Sequence, residues 1–340
     1  MSNRTRTMAC SMLITMLAVT PVWSETNSDA GTAGFQFLKL GALARQVAMG
    51  GAVTADVSDA SAMQANPAGL AQQMTHNWSA SYSNLYTDVQ SGFLAYSQPV
   101  GTDVAVVGLS VAYLTSSDIP KRDALNNDLG SYSFSDIAIA LSAGARLMGE
   151  PDTAEVSHRR RMRDRSLRID GGITVRGIYE KLDQFSASGI GVDAGVLFHL
   201  PDRRSRVGLA VTNLGKQTSA YQDIKDGLPT TFRAGLMHQL REAPFTFVGD
   251  IELPKDNKLR FGVGGELKLG GTKKREAPFA LRGGFNSQGR DLKTTADDSG
   301  IAGFSFGAGF EWRRYTIDYS FTPGVGLGTL HRFTIGGSLY

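Results

Sequence analysis

The stretch Ile190–Phe198 reads IGVDAGVLF and carries the pattern that decides the fold. Its apolar residues occupy every second position, whereas Gly191, Asp193 and Gly195 lie between them. A period of two is typical of a β-strand with one apolar face and one small or polar face. The length of the stretch is near the 9–11 residues that a tilted membrane-crossing strand requires.

The same alternation recurs along residues 76–340 in about fourteen segments, an even number, as closed bacterial barrels have. Closure is needed in lipid because an open sheet edge would leave backbone groups unpaired. We therefore predict an all-β fold, a closed antiparallel transmembrane β-barrel whose large apolar side chains meet lipid. A soluble β-sandwich is the alternative, and it would need two sheets to bury these faces. The predicted strands begin near Trp78, Gly92, Val104, Ser131, Arg168, Ser186, Arg206, Thr230, Phe245, Leu259, Phe279, Gly303, Tyr315 and Arg332.

Composition excludes several other classes. The chain has 340 residues, 40 of them glycine, and a net charge of +3, which by itself does not imply a nucleic-acid partner. Its mean hydropathy of −0.15 is too low for a helical membrane protein. The single cysteine, Cys10, lies in the leader described next, so the mature chain has no thiol for disulfides, metal binding or nucleophilic catalysis.

Residues 1–24 have the features of a cleavable signal peptide. Arg4 and Arg6 precede the apolar run Met8–Val19, and Val22-Trp23-Ser24 offers a cleavage site. The apolar run is too short for a transmembrane helix, which needs about 20 apolar residues. We therefore predict export to the outer membrane of a Gram-negative cell, with an uncleaved anchor as the alternative.

Residues 25–75 differ from the rest of the chain because helical signals replace the alternation. Ala42–Met49 has apolar residues at helical spacing, and Gly50-Gly51 ends it. A second short helix is expected over Ala60–Ala65, and it ends at Asn66-Pro67 because the residue before proline avoids helical geometry. We predict that residues 25–75 fold back into the lumen as a hatch. A small helical cap on a soluble β domain is the alternative.

The connections between strands predict an orientation. If the first strand rises from the periplasm, the longer polar loops Thr115–Gly130, Gly215–Pro229 and Ser287–Ala302 lie outside, as expected for outer-membrane barrels. The inner connection Met148–Ser166 is also long, and it is either a solvated basic loop near lipid headgroups or a docking site for an anionic periplasmic partner. Its basic residues are Arg159, Arg160, Arg161, Arg163 and Arg165.

The N-terminal residues resemble a known family. GALAR at Gly41–Arg45, MGGA at Met49–Ala52, DASA at Asp59–Ala62 and NPAGL at Asn66–Leu70 look like the start of PorV/PorQ-type outer-membrane proteins. That family is related to the FadL-type long-chain fatty acid transporters. The basic insertion at Met148–Ser166 departs from the family pattern.

The resemblance carries implications for the hatch and for partners. It implies that Asn66, Pro67 and Ala68 belong to a hatch that plugs a fourteen-stranded barrel. Some members of the family serve type IX secretion, which makes an exported protein a candidate partner. The chain ends in the aromatic Tyr340, as do strands that the outer-membrane assembly machinery recognises, although Tyr340 is one residue out of phase with Leu339.

Motifs for catalysis are weak, and we expect no enzyme, cofactor or metal. Gly303–Gly307 matches G-x-S-x-G, but the match lies within an alternating strand, whereas a nucleophile elbow needs a strand–turn–helix context. The glycine-rich stretches Gly189–Gly195 and Gly324–Gly328 open no helix, so they do not resemble phosphate loops. The five histidines show no metal-ligand spacing.

Two functions remain open. The first is passage or binding of a hydrophobic or amphipathic small molecule, with the hatch sealing the pore and shifting when ligand binds. Gly50, Gly51 and Gly69 would permit that shift, Asn66 would hydrogen-bond to the wall, and Pro67 would hold the turn. The second is a non-transporting scaffold barrel that docks exported proteins on its outer loops.

Overall fold

Fourteen antiparallel strands form one closed barrel in chain order, and β1 pairs with β14 to complete it. The predicted fold class is therefore confirmed. The predicted signal peptide, the arginines of the basic insertion and Tyr340 lie outside the described part of the chain. The computed structural model describes residues 31–85, 89–101, 105–149, 167–221, 225–270, 279–290, 301–324 and 328–339.

The strand bounds follow the alternating segments closely. They are β1 His76–Asn84, β2 Gln90–Val100, β3 Ala105–Arg122, β4 Asp128–Met148, β5 Arg168–Leu182, β6 Phe185–His199, β7 Ser205–Ser219, β8 Thr231–Gln239, β9 Phe245–Pro254, β10 Arg260–Leu269, β11 Phe279–Asn286, β12 Phe304–Trp312, β13 Tyr315–Gly324 and β14 Gly328–Leu339. We call the end at which β1 begins the lower rim and the end at which it finishes the upper rim.

The two faces of the wall differ as predicted. On β6 the side chains of Ile190 and Val192 point outward and are about half exposed, at 50% and 41%, whereas Asp193 is fully buried. This is the reverse of a soluble protein, which buries its apolar side chains, and it holds around the barrel. On β4, for example, Leu141 points outward and Ser142 points inward. A wall that exposes its aliphatic side chains and buries its polar ones suits an apolar solvent.

The wall is taller on one side than predicted. β3–β7 have 15 to 21 residues, whereas the other strands have 8 to 12. The predicted loop Thr115–Gly130 is wrong in extent, because β3 runs to Arg122 and β4 starts at Asp128. The short turn between them is closed by Asp123, whose Oδ1 accepts hydrogen bonds from the amides of Leu125 and Asn127 at 2.9 and 2.8 Å.

Residues 33–73 lie inside the barrel, and we call them the luminal segment. They contain a 3₁₀ turn at Gln36–Lys39, helix α1 at Ala44–Ala48, helix α2 at Ala62–Ala65 and a 3₁₀ helix at Pro67–Gln72. The two predicted helices are present but shorter than expected. No helix in the described ranges is long and apolar enough to cross a membrane.

Candidate functional site

Inward-facing glycines bring the wall against the luminal segment on nine strands. A Cβ atom added to any of these glycines would lie closer than 3.0 Å to an atom of the luminal segment. Only glycine permits backbone to approach that closely. We call this set the glycine ring. Its members are Gly108, Gly144, Gly172, Gly189, Gly195, Gly208, Gly235, Gly262, Gly264, Gly284 and Gly307.

The Asn-Pro-Ala stretch meets the tall side of the wall. Asn66 is fully buried, and its Nδ2 donates to the carbonyl of Thr54 at 2.8 Å and to that of Val196 on β6 at 3.4 Å. Its Oδ1 accepts from the amide of Ala68 at 3.2 Å and so caps the 3₁₀ helix. The side chain of Asn66 therefore joins two turns of the luminal segment to the wall.

Pro67 and Gly69 occupy different surroundings. The carbonyl of Pro67 lies beside Gly172 on β5, where a Cβ atom would collide with it. Gly69 packs inside the luminal segment, because a Cβ atom there would meet the side chain of Val57. Both residues are buried, as is Ala68 between them.

Gly50 and Gly51 lie at the opposite wall. Both have positive φ, +70° and +74°, which glycine adopts without strain. Gly50 contacts the backbone of Val263 and Phe285, and its carbonyl accepts a hydrogen bond from Asn286 Nδ2 at 3.0 Å. The predicted hatch residues therefore do not form one cluster. They are two docking points that span the lumen.

On β9 a carboxylate takes the place of a glycine. Asp250 Oδ2 accepts three hydrogen bonds from the luminal segment, from the amides of Val53 and Thr54 at 2.9 and 2.8 Å and from Thr54 Oγ1 at 2.6 Å. Asp250 is buried, so these bonds are shielded from competing water. It anchors the turn that follows Gly50-Gly51.

A buried ionic network attaches α1 to the short side of the wall. Arg45 Nε lies 3.0 Å from Glu266 Oε2, and Arg45 Nη2 lies 2.7 Å from Asp56 Oδ2. Glu266 also contacts Arg282 at 2.7 Å, and Arg282 contacts Asp318 at 2.6 Å. Sequence reasoning missed this network, because its members are scattered over five separate segments of the chain.

The start of the luminal segment is fixed at the upper rim. Lys39 Nζ lies 2.6 Å from Asp256 Oδ2, and Gln36 Nε2 donates to the same oxygen at 2.8 Å. Burial lowers the pKa of Lys39 more than Asp256 raises it. Burial alone would raise the pKa of Asp256, but the hydrogen bonds from Lys39 and Gln36 outweigh it and lower that pKa. The backbone of Gly34 also donates to the carbonyl of Gly227 at 3.1 Å.

A chamber of about 280 Å³ lies between the luminal segment and the upper part of the short wall. Its apolar lining includes Leu38, Leu40, Val47, Val53, Leu85 and Leu330. Its polar lining includes Gln46, Gln64, Asn286, Ser305, Thr322 and Arg332. A mixed lining of this kind suits a small molecule with an apolar body and a polar end.

A larger hollow of about 950 Å³ lies on the outer face of β3–β9. Its floor contains small residues such as Ala143, Ala145, Gly171 and Ala194, and its rim includes Leu209 and Phe232. Most of these side chains point away from the lumen. The hollow is therefore an apolar depression of the outer wall, and we take the luminal chamber as the candidate site.

The catalytic motif does not form a catalytic site. Ser305 of the G-x-S-x-G match lies within strand β12, and its Oγ is 2.9 Å from Thr322 Oγ1. No group of three or more metal-ligating side chains occurs among the described residues. The basic residues of the predicted docking site, Arg159, Arg160, Arg161, Arg163 and Arg165, lie outside those residues.

One serine–histidine contact occurs at the lower rim. Ser205 Oγ lies 2.8 Å from His238 Nδ1 and 2.5 Å from Asp202 Oδ2. Partial burial opposes ionisation of Asp202, but hydrogen bonds from the Ser205 hydroxyl and the amides of Arg204 and Ser205 lower its pKa. The serine therefore donates its proton to the carboxylate, whereas a triad needs the histidine to accept it. The cluster closes the β6–β7 turn.

Comparison with known proteins shows the fold and no more. No family model and no curated protein sequence matches the chain. The toluene transporter TbuX of Ralstonia pickettii has a similar solved structure, with a TM-score of 0.55 and 13% identity over 88% of this chain and 99% of its own. The toluene transporter TodX of Pseudomonas putida gives a TM-score of 0.55 at 12% identity, covering 87% and 96%. A FadL homologue of Pseudomonas aeruginosa gives 0.52 at 11%, covering 88% and 98%.

Fold and site together define a class of protein. The chain is a closed fourteen-stranded barrel with an N-terminal segment packed in its lumen, and its fold is that of solved hydrocarbon-transporting barrels.

Proposed function

We propose that this barrel lies in the outer membrane of a Gram-negative cell and passes hydrophobic or amphipathic small molecules. The observation that carries the proposal is the luminal segment docked on the glycine ring, with a chamber between it and the upper part of the wall. The structural likeness to toluene transporters supports the same function. In this proposal the luminal segment is the hatch, and the upper rim faces outward.

The outer surface supports a membrane location. The outward side chains between the rims are mainly Leu, Ile, Val and Phe, and many are more than 45% exposed. Exposed aromatic residues lie at both ends of this belt, Tyr82 and Tyr179 toward the upper rim and Tyr96, Trp312 and Tyr315 toward the lower rim. Aromatic girdles of this kind sit at the headgroup level on each side of a bilayer.

The contacts of the luminal segment suit a part that moves. At Gly172, Gly208, Gly262, Gly264 and Gly284 the nearest atoms of the luminal segment are backbone atoms, so few bulky side chains interlock across the interface there. The restraint comes from a few polar anchors, chiefly Asp250 and the Arg45–Glu266 pair. A ligand in the chamber that displaced α1 would break these anchors and the hydrogen bonds that Ala44 and Gly50 make with Thr334 and Asn286, and the segment could then re-form them after passage.

Replacement of Asn66, Pro67 and Ala68 by glycine is expected to raise leakage of a hydrophobic dye several-fold. The change removes the Asn66 bonds to Thr54 and Val196 and frees the turn that Pro67 holds. The measurement is dye uptake by intact cells. Glycine replacements at Asn126, Asn127 and Asp128, in an exposed upper turn, are the matched control. Equal uptake in both variants would count against the hatch.

Orientation can be tested by labelling single cysteines, because the mature chain is expected to contain none. A Thr32→Cys variant should react with a membrane-impermeant maleimide on intact cells, as should Leu125→Cys at the upper tip. Glu242→Cys, in a lower-rim turn, should react only after the cells are opened. The reverse pattern would place the upper rim in the periplasm.

Mass spectrometry of the gently solubilised barrel distinguishes transport from the scaffold alternative. If the barrel transports, the spectra should show small hydrophobic or amphipathic molecules that are retained at defined stoichiometry. An exported protein at stoichiometric amounts, with no small molecule, would favour the scaffold and overturn transport.

A further inference from the structure

The hollow on the outer face of β3–β9 is formed by small outward residues that lie side by side on neighbouring strands. Ala145 on β4 pairs with Gly171 on β5, and Ala194 on β6 pairs with Val211 on β7. Of the described residues that line the hollow, Phe232 is the one with an aromatic ring. The outer surface is therefore depressed along a line that crosses the strands.

Outward glycines at other places on the wall are covered by an aromatic ring of a neighbouring strand. A Cβ atom at Gly92 would lie closer than 3.0 Å to the ring of Tyr113, and one at Gly265 closer than 3.0 Å to the ring of Phe245. The hollow has no comparable cover within the described chain. An unfilled gap forfeits dispersion contacts, so we expect a molecule from the surroundings to fill it.

The hollow is inclined across the wall and is long enough for one acyl chain. β4 ends at Met148, three residues after Ala145, whereas β9 begins at Phe245, six residues before Ile251. The hollow therefore rises from the lower rim near β4 toward mid-height at β9. Six strand spacings of about 4.8 Å give it a length of about 29 Å. The acyl chains of one leaflet cross only half of a hydrocarbon core that is about 30 Å thick.

The β6–β7 turn, below the hollow, presents two cations without a carboxylate partner. Arg203 is exposed and Arg204 is partly exposed, and neither side chain forms an ion pair with the described chain. The carboxylate of the same turn, Asp202, already accepts hydrogen bonds from the Ser205 hydroxyl and from the amides of Arg204 and Ser205. The two guanidinium groups are therefore available to an anion at the membrane surface.

An apolar path joins this turn to the hollow. Phe198 on β6 pairs with Val207 on β7, and one outward step higher Val196 pairs with Leu209. Val196 and Leu209 line the hollow itself. A hydrocarbon chain that enters the hollow along this path has its polar end at the β6–β7 turn.

We propose that the hollow is a phospholipid site, in which an acyl chain of the inner leaflet fills the depression and its anionic headgroup binds Arg203 and Arg204. The lower rim meets the inner leaflet in the orientation proposed above, so the inference rests on that membrane location and not on transport. Guanidinium groups form charge-assisted hydrogen bonds with phosphate oxygens, and two cations favour a headgroup with a net negative charge over a zwitterionic one. The bound chain packs behind the part of the wall on which Asn66 and Pro67 lie.

The headgroup is tested by native mass spectrometry of the full, delipidated barrel with phosphatidylglycerol and phosphatidylcholine of identical acyl chains. The wild-type protein should bind phosphatidylglycerol at least about fivefold more tightly than phosphatidylcholine. The double variant Arg203→Gln/Arg204→Gln should lose this preference. The matched control is Arg313→Gln/Arg314→Gln in the β12–β13 turn, across the barrel, and it should keep the preference.

The acyl chain is tested at the floor of the hollow. Ala194→Phe places a ring in the hollow and should weaken the binding of both lipids at least about fivefold. Ala308→Phe, at an outward position of β12 that does not line the hollow, should leave binding unchanged. All the variants should melt in detergent at the wild-type temperature, because each changed side chain lies on the outer surface or in a turn.

Three results would overturn the inference. They are a preference for phosphatidylglycerol that survives in Arg203→Gln/Arg204→Gln, a loss of lipid no greater in Ala194→Phe than in Ala308→Phe, and a barrel dimer that Ala194→Phe disrupts, which would assign the hollow to a second copy of the chain. Dye uptake by intact cells reports the transport function separately. A barrel that passes dye without a lipid preference overturns this inference alone, and one that shows the preference but passes no dye overturns transport alone.

Discussion

Gly172→Leu is expected to drive the luminal segment off the wall and to open the barrel. A Cβ atom at Gly172 would lie closer than 3.0 Å to the carbonyl of Pro67, and this contact is backbone, which cannot rotate away. Overpacking of a filled interior typically costs about 1–3 kcal/mol, and here the luminal segment can escape that cost by leaving its dock. The wild-type barrel should be nearly silent in planar bilayers, whereas the variant should show frequent ion-conducting openings.

Gly177→Leu is the matched control on the same strand. Gly177 points outward, and a Cβ atom there meets nothing within 4 Å. The added side chain would therefore face lipid, and the conductance should stay at the wild-type level. If the two variants conduct equally, then the glycine ring does not hold the hatch.

Glu266→Leu should give the second large effect. Its carboxylate lies between Arg45 on the luminal segment and Arg282 on β11, at 3.0 and 2.7 Å. Removing one member of a buried ionic cluster leaves the others without full compensation, and the usual cost is about 3–5 kcal/mol. We expect the free energy of unfolding in urea, measured in lipid vesicles, to fall by that amount.

An exposed pair provides the comparison for Glu266. Lys121 and Asp183 lie 3.4 Å apart near the upper rim, and both side chains are more than 40% exposed. Such pairs contribute between 0 and about 1 kcal/mol, so Asp183→Asn should be nearly neutral. A loss at Glu266 no larger than the loss at Asp183 would show that the network does not anchor the hatch.

Much of the barrel could be read from the sequence because each strand carries its own pattern. β5, β9, β11 and β13 begin at the predicted residues Arg168, Phe245, Phe279 and Tyr315. In lipid, inward and outward residues have opposite polarity, so the alternation marks a strand wherever the wall crosses the membrane. The prediction failed at the upper end of β3, where outward residues such as Ser117 are polar and the stretch resembles a loop.

The contacts of the luminal segment with the wall could be predicted from the sequence only in part. The resemblance to a family identifies the stretch around Asn66-Pro67, but it does not identify the wall residues that this stretch contacts. Inward glycines such as Gly144 and Gly195 were visible as the small residues of alternating strands, but nothing in a strand shows which glycine faces the hatch. Arg45 and Glu266 are 221 residues apart, and only closure of the barrel brings them together.

A disulfide bond between the luminal segment and the wall, which can be reduced again, tests most directly whether movement of the luminal segment controls the passage of small molecules. A Cβ atom at Gly144 would lie 2.7 Å from Leu70 Cβ, so a small shift brings a Leu70→Cys/Gly144→Cys pair to the roughly 3.5–4.5 Å of a disulfide. The measurement is uptake of N-phenylnaphthylamine by intact cells, with each single-cysteine variant as control. Cells with the reduced pair should take up the dye faster than cells without the barrel, and oxidation should remove that difference. Equal uptake before and after oxidation would contradict a moving hatch.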